Sequence, residues 1–267
     1  MHKFFAVLFL TFVFAAVLFA QNDTGKFRFK PKKVSVGAVY HYLKTNIDGT
    51  NPEHISQFIH ATDKLEAFKF HPQATRAGLV IATMDWRNFS ARRLESWQVF
   101  KDEKRKLFAT LNYNDAEKSV EVAFPGMNKA SERTAIKYLP FHVYNFDFGS
   151  LNFAFPHLVN PEKSFTIGIA DPTFKDPGVA FAYRGEATIT YVGNERRNNI
   201  VCRKYSVGGN GLENRGGFIW VNKKGGYIED MEIALPDNPD WTSFKLRLTK
   251  VEKMTPQEWE AFIKKQF

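Results

Sequence analysis

Apolar side chains recur at every second position along most of this 267-residue chain, and that period limits what it can fold into. A period of two is the mark of half-buried β-strands. Val34, Val36, Ala38, Tyr40 and Tyr42 form one such row, and Leu79, Ile81 and Thr83 a second. Val120, Val122 and Phe124, then Ala187, Ile189 and Tyr191, then Phe244, Leu246 and Leu248 continue the pattern. Turn chemistry separates the rows at Asn46-Ile47-Asp48-Gly49, Tyr113-Asn114-Asp115, Gly193-Asn194 and Lys224-Gly225-Gly226. Connections this short join antiparallel neighbours, because a parallel crossover needs about a dozen residues or more. Roughly a dozen strands or a few more in consecutive hairpins would curl if flat. The expected fold is therefore mainly β, a strongly curved antiparallel meander or open half-barrel.

Two segments depart from the period. Asn51-Pro52-Glu53 reads either as a helix cap before Ile55, Phe58 and Ile59 or as the start of a hairpin turning at Thr62-Asp63. The hairpin is preferred because its neighbours are strands. At the end of the chain, Thr255, Pro256 and Glu258 make a capping box for a short helix, 256–266. Trp259, Phe262 and Ile263 share one of its faces, so it must lie on the sheet, as a plug at the mouth or a buttress outside.

The first residues speak to location. Lys3, the apolar run Phe4 to Phe19 and Ala20 before polar Gln21-Asn22-Asp23-Thr24 have the layout of a secretory signal peptide. The expected organisation is a signal peptide over 1–20, a basic flexible leader over 21–33 and a single β domain over 34–267. Export places the domain in the periplasm or outside the cell. The leader carries Lys26, Arg28, Lys30, Lys32 and Lys33 interleaved with Phe27 and Phe29. It reads as a solvated tail, with contact to an anionic membrane surface as the alternative. The net charge of +9 would ordinarily raise nucleic acid as a partner, but an export signal makes that a poor fit. Cys202 is the sole cysteine, so no intramolecular disulfide forms, and its strand-like setting reads as a buried small side chain.

Motifs that carry chemistry are sparse. The glycines between Gly208 and Gly217 are followed by the strand Phe218-Ile219-Trp220-Val221, whereas a phosphate cradle needs a helix start there. A wide turn between strands explains them, with Arg203, Lys204 and Arg215 flanking it as a weak anion site at most. The histidines show no metal-ligand spacing, and no serine sits in a nucleophile elbow. Glu229 and Asp230 are strand neighbours that point to opposite faces. Asp85-Trp86 and Leu235-Pro236-Asp237-Asn238-Pro239-Asp240-Trp241 read as turn devices. No catalytic residue, metal or cofactor is assigned. Phe146, Phe148, Phe153 and Phe155 crowd one short span, so either both of its faces are covered or one set faces a cavity.

Several phrases together carry a family resemblance. They are Val39-Tyr40-His41-Tyr42 before Asn46-Ile47-Asp48-Gly49, Leu65-Glu66-Ala67-Phe68-Lys69, and Cys202-Arg203-Lys204-Tyr205 before Gly208-Gly209. Gly216-Gly217-Phe218-Ile219-Trp220-Val221 and Pro236-Asp237-Asn238-Pro239-Asp240-Trp241 followed by Ser243 to Leu248 complete the set. The chain resembles an uncharacterised family of exported bacterial proteins grouped with the lipoprotein-carrier (LolA/LolB-like) superfamily. The resemblance implies an open curved sheet whose apolar concave face is covered by helices and holds acyl chains. This chain departs from that pattern in offering one clear helix. A periplasmic binding or carrier protein for a lipid or other apolar ligand is the preferred expectation. An envelope scaffold without a small ligand comes next, and a hydrolase last. The ligand-contacting residues expected on this reading are Phe146, Phe148 and Trp220, with Arg203, Lys204 and Arg215 toward an anionic head group.

Overall fold

The computed structural model describes residues 21–72, 74–125, 130–173 and 179–267; the expected signal segment 1–20 lies outside them. The first half of the described chain is a meander. It runs from β1 (Gln21–Asn22) through β2 (Ala38–Thr45), β3 (Glu53–Ala61), β4 (Lys64–Phe70) and β5 (Arg76–Asp85). It continues with β6 (Ser90–Phe100), β7 (Arg105–Asn114), β8 (Ser119–Ala123), β9 (Glu132–Ala135), β10 (Tyr138–Leu139) and β11 (Phe141–Val143). A six-residue helix, α1 (Gly149–Ala154), interrupts the strands. The second half holds β12 (Phe165–Pro172), β13 (Phe181–Arg197), β14 (Ile200–Gly208), β15 (Gly217–Asn222), β16 (Ile228–Ile233) and β17 (Phe244–Lys253). Helix α2 (Pro256–Lys264) ends it.

Fifteen of the described strands form one sheet. The meander β12 to β17 joins the meander β2 to β9 through an antiparallel β17–β2 pairing. The expected mainly β, antiparallel, strongly curved architecture is what the chain adopts. Two parallel pairings add to it, β11 with β12 at one edge and the small β1–β10 pair. The sheet curls without closing. Its end strand β9 meets the start of β13 at a seam of side chains, where Thr134 Oγ1 donates to the Phe181 carbonyl (3.0 Å) and Ala180 N–H donates to Glu132 (2.6 Å). Bulges between Ile169 and Ala170, Tyr191 and Gly193, and Leu248 and Lys250 supply extra bend. At Gly217 the sheet needs glycine outright, since a Cβ there would lie 1.9 Å from the Glu232 carbonyl oxygen.

The Phe-rich span fills one half of the interior. After Asp147 and Phe148, both at φ 50, α1 turns inward and every one of its residues is buried. A helix this short has no stability of its own. Asn152 fixes it: its amide donates to Tyr42 Oη and Gln57 Oε1 (both 2.8 Å) and accepts from Ile228 N–H (2.8 Å). Phe148, Leu151 and Phe155 then pack with Tyr42, Phe165, Ile189, Tyr205, Met231 and Leu246 of the surrounding strands. Of the two readings for this span, coverage on both faces holds for most of its aromatics.

The hairpin reading of 53–70 matches β3 and β4. The capping box is present, with Thr255 accepting from Glu258 N–H and Glu258 accepting from Thr255 N–H. Helix α2 buttresses the outside: Trp259 and Ile263 are each 1% exposed, against Val39, Phe58, Phe68 and Leu79. Trp259 Nε1 donates to Glu66 Oε2 (2.8 Å). The segment expected as a flexible leader is strapped to the barrel over 24–33. Phe27 is 5% exposed and stacks on Phe89 (5.0 Å), Phe29 stacks on Trp86 (4.8 Å), and Lys30 Nζ donates to the Leu158 carbonyl (2.7 Å). Backbone bonds from Arg28 N–H to the His157 carbonyl (2.8 Å) and from Val159 N–H to the Lys26 carbonyl (2.9 Å) hold the strap down beside the two rings. Cys202 is buried in β14, and burial pushes its thiol up to about 11.

Candidate functional site

The half of the sheet that α1 leaves open carries a groove of about 320 Å³. Strand alternation decides its lining. Ala67 and Lys69 of β4 point to the concave face, as do Gly78 and Val80 of β5, Leu94 and Ser96 of β6, and Leu111 of β7. Val122 and Phe124 extend the floor, and Val143, Phe146 and Phe181 form the opposite wall. The alternate residues Phe68, Leu79 and Val99 face outward beneath α2. One sheet thus has two apolar faces, one covered by a helix and one open as a groove. Phe108, 40% exposed, stands at the mouth beside Phe124, with ring centres 6.1 Å apart.

Lys69 and Asn145 close one end of the groove. Lys69 Nζ donates to the Asn145 carbonyl (2.7 Å) and pairs with Asp147. Behind it lies a buried ionic knot. Lys44, 1% exposed, pairs with Asp237, with Asp147 (3.3 Å) and with Glu53 (3.4 Å). Burial works against the Lys44 charge, yet Asp147, Asp237 and Glu53 together hold its ammonium above the ordinary lysine range. Asp171 completes the group, accepting from Asn145 N–H (2.8 Å), with Arg184 3.5 Å away. Burial raises the carboxyls of both Asp171 and Asp237. The cation at the groove end is therefore already neutralised from behind. A neutral or weakly polar terminus fits there better than a second full anion.

The residues singled out in the sequence scatter. Phe146 lines the groove. Phe148, 0% exposed, sits in the packed half of the core. Lys204 and Trp220 are cross-strand partners on the convex face, with Lys204 bound to Glu195 (2.8 Å) and Arg197 stacked 3.6 Å over the Trp220 ring. Arg203 donates to the Lys223 carbonyl (3.2 Å), and Arg215 lies 4.0 Å from Glu213. The structure does not bring these six together. Sequence reasoning missed Lys44 and Lys69, although parity signalled both. Lys44 continues the inward row of Tyr40 and Tyr42, and Lys69 that of Leu65 and Ala67. The 235–241 corner, read as a turn device, also delivers Asp237 and Trp241 to the knot.

A second cleft, about 370 Å³, lies on the convex face beside α2. In it Ser56 Oγ is 2.8 Å from His41 Nδ1, and His41 Nε2 is 2.8 Å from Glu252 Oε1. The order resembles a nucleophile relay, but Ser56 is 2% exposed in mid-strand, paired to His41 on one side and Phe68 on the other. Its backbone donors are committed to the sheet, so no donor pair stands ready for an oxyanion. The relay ties β17, β2 and β3 together. Among the described residues no cluster of His, Cys, Asp and Glu could hold a metal ion.

The chain matches no protein-family model and no curated protein sequence. It is similar to a solved β-barrel-like protein of domain of unknown function DUF1849 from Brucella abortus, at 7% identity and a TM-score of 0.43, covering 82% of this chain and 98% of that one. It is similar also to an outer membrane lipoprotein-sorting protein domain from Vibrio parahaemolyticus, at 8% identity and a TM-score of 0.33, covering 87% and 94%. A DUF1329 family protein from Desulfovibrio piger aligns at 9% identity and a TM-score of 0.32, covering 84% and 89%.

Proposed function

We propose that the protein is an exported, non-enzymatic binding or carrier protein for an apolar ligand, held in the groove over β4 to β8. The observation that carries this reading is the open apolar floor of Val80, Leu94, Leu111 and Val122 facing Phe146 and Phe181. Burial of a hydrocarbon there would contribute about 0.8 kcal/mol per methylene. Small-ligand pockets run from about 300 to 1,000 Å³, so this groove suits one chain or a small ring system rather than a multi-chain lipid. The neutralised Lys69 favours a ligand whose end is uncharged, such as an alcohol, amide or ester, over a free carboxylate.

Native mass spectrometry on protein purified from its own host tests the reading. A co-purifying apolar species of defined mass, displaced by a long-chain alcohol, is the expected result. A clean apo mass, together with no saturable uptake of an environment-sensitive hydrophobic dye, would leave the envelope-scaffold reading in its place.

A further inference from the structure

The end of the barrel away from the groove gathers charge and exposed apolar surface from four separate segments. The strap lies on the turn after α1, where Val159 N–H donates to the Lys26 carbonyl (2.9 Å). The β15–β16 turn touches that same turn, since a Cβ on Gly226 would come 3.2 Å from Pro156. Lys223 N–H donates to the Val201 carbonyl (3.0 Å), which places the β13–β14 hairpin tip alongside. Lys33, Ser35, Pro156 and Tyr227 border one small recess at the centre.

On these segments Arg28, Lys32, Lys33, Arg196, Lys223 and Lys224 are all exposed, and none makes an ion pair among the described residues. Burial first, then Lys33 and Arg28, hold Lys30 below the ordinary lysine range, a sign of cations crowded together. The acidic side chains nearby include Asp63, Asp85, Glu162, Glu195 and Glu229, of which Arg87 takes Asp85, Lys204 takes Glu195 and Asn222 bonds Glu229. Between the cations stand exposed aliphatic groups: Val36 at 48%, Val159 at 54%, Val192 at 52%, Ile200 at 39% and Val201 at 41%. These cations have no carboxylate partner among the described residues, and aliphatic groups scattered among them gain nothing from water. That mixture matches the interface of an anionic bilayer, whose head groups take the cations while the shallow acyl boundary takes the side chains. Nucleic acid would satisfy the charges and leave the valines exposed.

We infer that this basic, valine-studded end is a docking surface for membranes bearing anionic phospholipid head groups. Its location leaves the groove free. Leu65 borders the recess at this end and Lys69 closes the groove, about 13 Å further along β4. The docking is independent of what the groove holds.

Sedimentation of the purified protein with vesicles tests it. The protein should pellet with phosphatidylcholine vesicles containing phosphatidylglycerol and stay in solution with phosphatidylcholine alone. Added salt should release it, because screening cuts the attraction to within about 8 Å near physiological strength. The variant Lys32→Glu/Lys33→Glu/Lys223→Glu/Lys224→Glu, altered at exposed positions only, should bind roughly a hundredfold more weakly or worse at an unchanged Tm. Val201→Ser should weaken vesicle binding while leaving retention on duplex DNA as it was. Pelleting that ignores phosphatidylglycerol, or that survives the quadruple reversal, would overturn the inference. So would duplex binding as tight as vesicle binding with Val201→Ser affecting neither, since the end would then be a general polyanion site.

Discussion

The Lys44 ammonium lies 4.0 Å from the centre of the Trp241 ring, in a pocket where the lysine is 1% exposed. The aromatic face and the carboxylates of Asp147 and Asp237 converge on it from elements far apart in sequence: β2, the turn before α1 and the corner before β17. Removing one member of such a buried group strands the others. Lys44→Met should therefore destabilise the protein by about 3–5 kcal/mol, read as a lower urea midpoint at unchanged slope. Adding Asp237→Asn should recover part of the loss, because fewer unpaired charges are then left inside. A Lys44→Met midpoint equal to wild type would show that the knot contributes nothing to holding the turn before α1 in place.

The α1 plug depends on a single amide. Asn152→Leu keeps the side chain's approximate volume but leaves Ile228 N–H without its acceptor and Gln57 Oε1 without its donor. Each orphaned buried group costs about 1–3 kcal/mol, so a loss of several kcal/mol is expected. Hydrogen exchange would localise it: amides of 149–157 should lose protection before those of β3 and β4. Uniform loss across the sheet would show that plug and barrel open as one unit.

Blocking the groove without disturbing the fold separates binding from stability. Ala109 lines it, half-buried, on β7 next to Ser96. Ala109→Trp should occupy the space and abolish dye uptake, with Tm within a few degrees of wild type because the ring enters open volume instead of packed core. Retained uptake would place the binding elsewhere.

Much of the architecture was legible because a sheet with buried faces writes itself into alternate residues. The hairpin of β3 and β4 and the capped α2 followed from local chemistry alone, in the Thr62-Asp63 turn and the Thr255–Glu258 box. The strap and the plug were not legible. Phe27 is buried against Phe89, 62 residues on, and Phe148 in a cluster with Tyr42, 106 residues back, and Leu246, 98 residues on; such contacts leave no local period. The candidate site was legible only at Phe146. Arg203 and Lys204 stand beside a glycine-rich turn and drew attention for that reason, yet Lys204 has Glu195 across the β13–β14 ladder. The knot behind the groove needed the pairing of β2 with β17 before Lys44 could be seen to meet Asp237.

Acid should unfold the protein through its buried histidines. Burial lowers His142 to about 3, and burial followed by the charge of Lys30 lowers His157 to about 4. An unfolded chain protonates both near 6.5, so below that pH it binds protons that the native state refuses. Stability is thus fully present above about 6.5 and falls as pH drops toward the folded values, by about 1.4 kcal/mol per pH unit for each histidine. His157 stops contributing to the slope near 4, while His142 continues toward 3. His142 also bonds Ser150 Oγ through Nδ1 (2.8 Å), so His142→Asn, which can still offer an amide to that hydroxyl, is the suitable variant. Urea midpoints taken between pH 7 and 4 should decline less steeply in His142→Asn than in wild type. Identical slopes in the two proteins would mean that His142 gains access to protons in the native state, and that the plug breathes on the timescale of the measurement.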